Sequence, residues 1–586
     1  MSSIKKIWKL LDSRNKFYLF FIISLMAIAM CFEVLSVAIV IPVISILIEP
    51  SNFEYSYLPN ELISFLNNKD TTAIILITII LLILIFFLKN IFILFMQWRL
   101  SKYIFGLQES ISKSLYDTYV NKNYDFFIKK NTSELIRNII TEITQFTNGA
   151  LLPSLILISE LFVLLGIVIF ILYISFASAL ISFTIFFTFF FLYYFFVRNY
   201  LLKIGVERIS KEEGRMKILN QGFGAIKEIK IYKKENFLSE EFAKLTKFIV
   251  FAGQRNYFFQ TVPRQLFEFL AIVTLSVVIY VLLFVLDDRQ NLIPILGLYA
   301  ASAFRLIPSM NKILNSLQSI RYAFASTEVL YNDLQKKINY DFYDTKYENQ
   351  NQFNNWQKVS FENVSYSYPL TEKNVLHEVN LHIEKGQSIG IIGETGSGKS
   401  TLINLISLLL RPSSGSIKVD NKIICSNNFH QRKVTHSWQS KIGYVPQQIY
   451  LNDDSILKNI AFGIDQEIIS LDRIKEVINL CQLSDLISSL PDGIHTKVGE
   501  KGIRISGGQM QRIGIARALY NDPDLLILDE ATSALDEATE KNFIDSLFSI
   551  KRDKTLLIVT HKPNLLNDCD EVYKLENKIL KKINHE

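Results

Sequence analysis

The sequence predicts an α-helical transmembrane domain of six helices fused to an α/β domain built around a phosphate-binding loop. Three observations carry that prediction. Apolar residues make up 49% of the 586-residue chain and concentrate before residue 325. A glycine-rich stretch, GETGSGKST, starts at Gly393, and the apolar run Leu525 to Leu528 ends in the acidic pair Asp529 and Glu530. So high an apolar fraction, with a positive mean hydropathy, excludes a wholly soluble enzyme.

A bilayer core about 30 Å thick calls for roughly 20 apolar residues per helix. Segments near 17–48, 72–100, 150–173, 177–200, 260–286 and 292–322 meet that length. The first is too long for a cleaved signal and has no small-residue cleavage pattern. Stretches 101–149 and 201–259 are rich in Lys and Arg, whereas 49–71 and 287–291 carry mostly acids. The positive-inside rule then puts both termini and the second domain in the cytoplasm. The net charge of +6 sits in those loops and reads as membrane topology rather than as a nucleic-acid partner. From Asn332 to Lys358 the chain turns polar without an apolar period, which divides it into a membrane domain (1–325), a linker (326–357) and a second domain (358–586). The four cysteines show no CxxC spacing, so no disulfide or zinc site is expected.

In the second domain Gly393, Gly396 and Gly398 can take the backbone angles of a loop whose N–H groups cradle phosphate oxygens. Lys399 adds a point charge, and Ser400 offers a hydroxyl to Mg²⁺ at the start of a helix expected over 400–410. The run Leu525 to Leu528 reads as a buried strand delivering two carboxylates at its carboxyl end. Asp529 suits Mg²⁺ and Glu530 suits the polarising of water.

The remaining motifs follow in order: Gln447 in its loop, Ile505-Ser506-Gly507-Gly508-Gln509, the SALD stretch ending at Asp536, and VTH ending at His561. Together, residues 358–580 resemble the nucleotide-binding domain of an ATP-binding-cassette transporter, with Ile505 where Leu is usual. The resemblance implies ATP held by Tyr368, Gly393, Glu394, Thr395, Gly396, Ser397, Gly398, Lys399, Ser400, Thr401 and Asp536. It implies Mg²⁺ at Ser400, Gln447 and Asp529, and hydrolysis by Glu530 with His561 and Gln447. In that family Ser506, Gly507, Gly508 and Gln509 of one cassette close over the ATP of another. One chain holds one cassette, so the simplest assembly is a homodimer, with a heterodimer as the alternative. Stretches near 124–135 and 214–223 lie where exporters of this family place short helices that dock on the cassette; plain extensions of the membrane helices explain them equally well.

Ionisable groups at membrane depth cost several kcal/mol unless paired or functional. Lys89, Arg264 and Arg305 stand out. Arg305 lies about 13 residues from the outer end of its segment, roughly 20 Å along a helix. Ser302, Arg305, Ser309, Lys312, Ser316 and Ser319 recur at steps of three and four, a stripe expected to face a cavity. The other reading is interhelical hydrogen bonding. Glu268 is placed to neutralise Arg264, and Glu33 and Glu160 are buried acids able to pair with Lys89 or Arg305.

A closer resemblance rests on CFEVLSVAIVIPVIS (31–45), TVPRQLFE (261–268), FRLIPSMNKIL (304–314) and ASTEVLYNDL (325–334). These are similar to the bacterial flippase family for polyprenyl-diphosphate-linked oligosaccharides. The resemblance implies an inner-membrane protein that flips such a lipid to the outer leaflet, binding the pyrophosphate through Arg264, Arg305 and Lys89, the last where Arg is usual. It also implies a short external helix within 49–70. The alternative is a lipid or multidrug exporter of the same architecture, in which those cations are structural. Asn421 to Ser440, carrying His430, Arg432, Lys433 and His436, reads as an inserted solvated loop.

Overall fold

The computed structural model describes residues 12–39, 71–174, 176–284, 292–335, 353–369, 373–429, 431–531 and 554–583, with the single positions Trp8, Val43, Thr371, Glu540 and Phe548. The expected external helix within 49–70, His430 and Asp536 lie outside these residues. The chain divides into two compact units, 1–122 with 130–342, and 123–129 with 343–586.

The first unit is helical. Helices α1 (Ser13–Ala38), α2 (Thr71–Val120), α4 (Thr132–Ile174), α5 (Phe176–Gly224) and α7 (Glu235–Phe284) are long and apolar enough to cross a membrane. α8 (Leu292–Tyr322) is the sixth expected segment, a 31-residue helix made less apolar by Arg305, Lys312 and Arg321. α6 (Ile226–Tyr232) joins α5 to α7, and α9 (Phe324–Gln335) follows α8. Along α1 the buried residues Leu19, Ile22, Met26, Ala29, Glu33 and Ser36 recur every three or four positions, which puts them on one face.

Two glycines permit close helix approach. A methyl group at Gly166 of α4 would lie 2.6 Å from Val34 of α1, and one at Gly205 of α5 would lie 2.2 Å from the carbonyl oxygen of Tyr322. Backbone cannot yield as a flexible side chain does. Gly205→Ala is therefore expected to lower stability by about 1–3 kcal/mol, seen as an earlier thermal transition in detergent, whereas Gly222→Ala, which meets nothing within 4 Å, leaves it in place.

Pro263 lies inside α7 and removes the N–H that would bond the carbonyl four residues back. The Tyr193 hydroxyl of α5 donates to that carbonyl, Phe259 O, at 2.7 Å. α4 contains two π-helical turns, Asn138–Glu142 and Thr147–Leu151. The first presents Asn138 and Glu142, both fully buried, to neighbouring helices. Arg208 of α5 donates to Glu142 at 2.9 Å, and Ser326 of α9 bonds the same carboxylate. Tyr119 of α2 donates to Asp333 of α9 at 2.6 Å, and Asn138 donates to both. α9 thus occupies the first part of the stretch read as linker. Its Ser326, Thr327, Leu330 and Tyr331 are buried, an apolar and small-residue face that the polar composition around it conceals.

The second unit holds two sheets. Strands β1 (Lys358–Tyr366), β2 (Leu376–Glu384), β4 (Ser414–Val419) and β5 (Lys422–Ser426) form an antiparallel sheet in the order β2-β1-β4-β5. The other sheet runs β10-β9-β3-β8-β7-β6, with β3 (Ser388–Gly393), β6 (Ile442–Val445), β7 (Leu525–Asp529), β8 (Thr555–Thr560) and β9 (Glu571–Glu576) parallel and β10 (Ile579–Ile583) antiparallel at the edge. β7 and β8 are buried along their whole length, as parallel strands covered on both faces must be. α10 (Lys399–Ile406) ends earlier than the expected 410, and Leu408 follows with φ +53°.

The stretch 421–440 is not a solvated loop. It forms β5 and helix α11 (Arg432–Gln439), and Trp438 is fully buried, its indole donating to Ile406 O at 2.9 Å and its ring packed edge-on against Trp356 and Phe353. Val434 and Trp438, one turn apart, form an apolar face that the surrounding His, Arg and Lys residues mask.

One short helix breaks the expected partition. α3 (Tyr124–Lys129) lies in the membrane half of the sequence yet belongs to the second unit. Burial, and then the Asp125 carboxylate of α3, push the Tyr366 hydroxyl well above its usual pKa. The stretch 214–223 forms the end of α5, as a plain extension of a membrane helix does.

Candidate functional site

The carboxyl ends of β3, β7 and β8 converge, the place where open parallel sheets bind ligands. β3 ends at Gly393 and the chain turns through Gly396 (φ +82°) and Gly398 (φ +110°) into α10. At Gly396 the space for a side chain is open, and at Gly398 a methyl would press on Leu376 at 3.0 Å. The Ser397 hydroxyl is buried without a hydrogen-bond partner. Lys399 folds over the loop, its ammonium donating to Gly393 O at 2.7 Å and Glu394 O at 3.1 Å. Two left-handed glycines, a lysine on the loop and an orphaned hydroxyl fit a phosphate chain. The Tyr368 hydroxyl lies 3.1 Å from that of Thr401, in the first turn of α10.

Glu530 follows β7 with φ +51°, held there by its N–H donating to Val559 O of β8 at 2.8 Å. One carboxylate oxygen accepts from the Gln447 amide at 2.6 Å; the other lies 2.5 Å from His561 Nε2 and 3.8 Å from Lys399 Nζ. A base needs such orientation by neighbours. Asp529, buried beside it, accepts from the Tyr444 hydroxyl at 3.4 Å. Burial, and next the charge of Glu530, raise its pKa, while burial lowers that of Lys399 against the pull of Glu530 and Asp529. A carboxyl so strained suits a cation neighbour, and Ser400, Gln447 and Asp529 offer the hard oxygen donors that Mg²⁺ takes.

Ser506 caps helix α12 (Gly507–Tyr520): its hydroxyl accepts from Gln509 N, and the Gln509 side chain accepts from Ser506 N. This capping box fixes the turn and leaves Ser506 and Gly507 exposed at the helix start.

In the membrane unit the three singled-out cations do not converge. Arg264 is 67% exposed and pairs with Glu268 at 3.0 Å on its own helix. Lys89 and Arg305 meet at Glu33, whose Oε2 lies 3.5 Å from Lys89 Nζ and 2.9 Å from Arg305 Nε. Glu160 accepts from Lys312 and Ser309, each at 2.7 Å, with Arg305 Nη2 at 3.8 Å. Along the stripe on α8 the serines and the cations differ: Lys312 is 51% exposed and Arg305 22%. Ser302, Ser309 and Ser316 are buried among helices, and Ser319 accepts from Gln260 of α7. Lys312 is the cation of this cluster that a search for isolated charges misses; its step from Arg305 and Ser309 along α8 was the available signal.

A nucleotide-binding site of this kind joined to membrane-length helices defines an ATP-driven membrane transporter. Two family models match: "ABC transporter transmembrane region" over residues 18–305 and "ABC transporter" over residues 376–533. The chain belongs to the ABC transporters; it is a half-transporter of exporter type, and it couples ATP hydrolysis to transport. Among similar curated proteins, the ATP-dependent lipid A-core flippase of Ralstonia nicotianae is 25% identical over 77% of this chain and 74% of its own length. The protein of the same name from Alkalilimnicola ehrlichii is 25% identical over 80% of this chain and 77% of its own length. A bacterial Atm1-family ABC exporter solved with ATP bound shares the fold, with a TM-score of 0.79 at 18% identity over 98% of this chain and 96% of that one.

Proposed function

We propose that this chain, as a homodimer in the bacterial inner membrane with its cassettes in the cytoplasm, flips a polyprenyl-diphosphate-linked oligosaccharide from the inner to the outer leaflet. The observation that carries the reading is the cluster of Lys89, Arg305 and Lys312 against Glu33 and Glu160 among the described residues, a net positive charge among membrane helices that suits an anionic headgroup. The relatives named lipid A-core flippases support lipid flipping as the class of activity. The motif resemblance at 31–45, 261–268 and 304–314 supports the diphosphate. Arg264, exposed on α7 and held only by an i,i+4 pair, is free to serve where a second copy faces it.

In the cassette, the loop N–H groups at Gly396 to Ser400 and the Lys399 ammonium hold the phosphates, with Tyr368 beside the adenine. Ser400, Gln447 and Asp529 would hold Mg²⁺, whose charge would neutralise that developing on the phosphates. Glu530, oriented by Gln447 and His561, accepts the proton of the attacking water, and Asp536 and His561 complete the γ-phosphate surroundings. Ser506 to Gln509 of the second copy complete the site.

A second reading, a lipid or multidrug exporter with other hydrophobic substrates, is favoured by one feature: Glu33 and Glu160 already neutralise most of the cluster, as structural ion pairs do. Reconstitution separates the two. ATP-dependent flipping of a polyprenyl-diphosphate oligosaccharide in proteoliposomes is expected, and Arg305→Ala is expected to reduce it at least tenfold while basal ATP hydrolysis and the thermal transition persist. Healthy hydrolysis with no flipping by the unmodified protein would leave the exporter reading alone.

A further inference from the structure

The charge cluster draws on four helices: Glu33 and Ser36 of α1, Lys89 of α2, Glu160 of α4, and Arg305, Ser309 and Lys312 of α8. Arg305 spans it, with Nε on Glu33 and Nη2 facing Glu160. Both acid side chains are only 7% exposed, whereas Lys312 is 51% exposed. The acids therefore form the floor of the cluster together with Lys89, only 11% exposed, and Arg305 and Lys312 form its more open side. A phosphate group reaching Lys312 and Arg305 has to draw both away from carboxylates that have little water to turn to, and a buried charge that loses its partner is costly.

We infer that Glu33 and Glu160 are positioning residues: resident counter-ions that compete with the anionic headgroup for Arg305 and Lys312, weaken its binding, and speed its release. The inference rests on the reading of this cluster as the headgroup site. The physical reasoning is one of balance. Three cations with no acids would hold a multiply charged diphosphate in a low-dielectric setting far more tightly than a transporter can release it. Two acids leave one net positive charge, and they are retained in the site to recapture the cations as the anion departs. Binding of a diphosphate is thereby an exchange of partners rather than a simple capture.

The test uses the full-length protein in nanodiscs, with short-chain polyprenyl monophosphate and polyprenyl diphosphate as probes, and proteoliposomes for flipping. E33Q and E160Q are each expected to bind the diphosphate about tenfold more tightly and to lower KM and kcat for flipping together. Both probes should gain, the diphosphate at least as much as the monophosphate, because removing a negative charge favours an anion in proportion to its charge. E33D and E160D, which keep the charge, should return both parameters toward those of the unmodified protein. E160Q, whose carboxamide oxygen still accepts from Ser309 and Lys312, provides the measurement if E33Q, facing two cations, does not fold. A folded variant with unchanged or weaker diphosphate binding would overturn the inference, because a merely structural pair loses affinity when broken. If the unmodified protein binds the diphosphate and Arg305→Ala abolishes binding, such a result removes only the counter-ion role. If the unmodified protein binds no diphosphate, the headgroup reading falls with it.

Discussion

Replacing Glu530 by glutamine is expected to lower ATP turnover by about 10²–10⁴-fold, the usual contribution of a positioned general base, while leaving nucleotide binding in place. The argument is geometric. Glu530 sits at φ +51° with its N–H fixed on Val559, and its two oxygens are taken by different partners, Gln447 and His561. A carboxamide of the same shape keeps the backbone and much of the hydrogen bonding, but it cannot accept a proton from water. Phosphate release at saturating ATP measures the first effect, and titration with a fluorescent ATP analogue measures the second. Turnover within a factor of a few of the unmodified protein would move the base to another group, with the adjacent Asp529 the first to examine.

Arg208→Met is expected to cost about 3–5 kcal/mol of stability, the range for removing one partner of a buried ion pair. Glu142 is fully buried, and Arg208 at 2.9 Å is its principal cation; Arg137 lies at 3.9 Å and is already engaged by Glu213 at 2.6 Å. Loss of Arg208 leaves a carboxylate without adequate compensation where α4, α5 and α9 meet. The double replacement Arg208→Met with Glu142→Leu is expected to recover most of the loss, because two apolar groups leave nothing unpaired. Thermal unfolding of the two variants in the same detergent compares them directly. Equal destabilisation by the single and double replacements would show that shape, not charge, governs the joint.

The nucleotide site was largely legible in the sequence because its parts are local. The loop from Gly393 to Ser400 needs only its own glycines and lysine, and an apolar run followed by Asp529 and Glu530 announces a strand end. The membrane cluster was legible as a set of costly charges in which Glu33 and Glu160 could pair with Lys89 or Arg305, but which acid takes which cation was not. Arg305 and Glu33 are 272 residues apart and Lys89 and Glu33 are 56 apart, so their meeting depends on helix packing that no spacing rule encodes. Arg264 with Glu268 was readable for the opposite reason, being four residues apart on one helix. Trp438 was missed because a single buried indole sits among charged neighbours in a short helix, where composition outvotes periodicity. The serine stripe was read correctly as one face of α8, but whether a face meets a cavity or another helix is decided by the neighbours it acquires.

The placement of α3 has a consequence for biosynthesis. Residues 123–129 complete a unit whose other residues begin at 343, so the ribosome makes this piece about 210 residues before the rest of the unit starts to emerge, a delay of roughly 10–40 s at ordinary elongation rates. Until then Tyr124, Phe127 and Ile128, which keep substantial exposure even in the finished fold, have no cassette surface to meet. Assembly of this protein is therefore vectorial, with the membrane half committed first and the cassette closing last on a segment already waiting. A cassette expressed from residue 343 onward would lack that segment and should recover it when a peptide spanning 123–129 is supplied in trans.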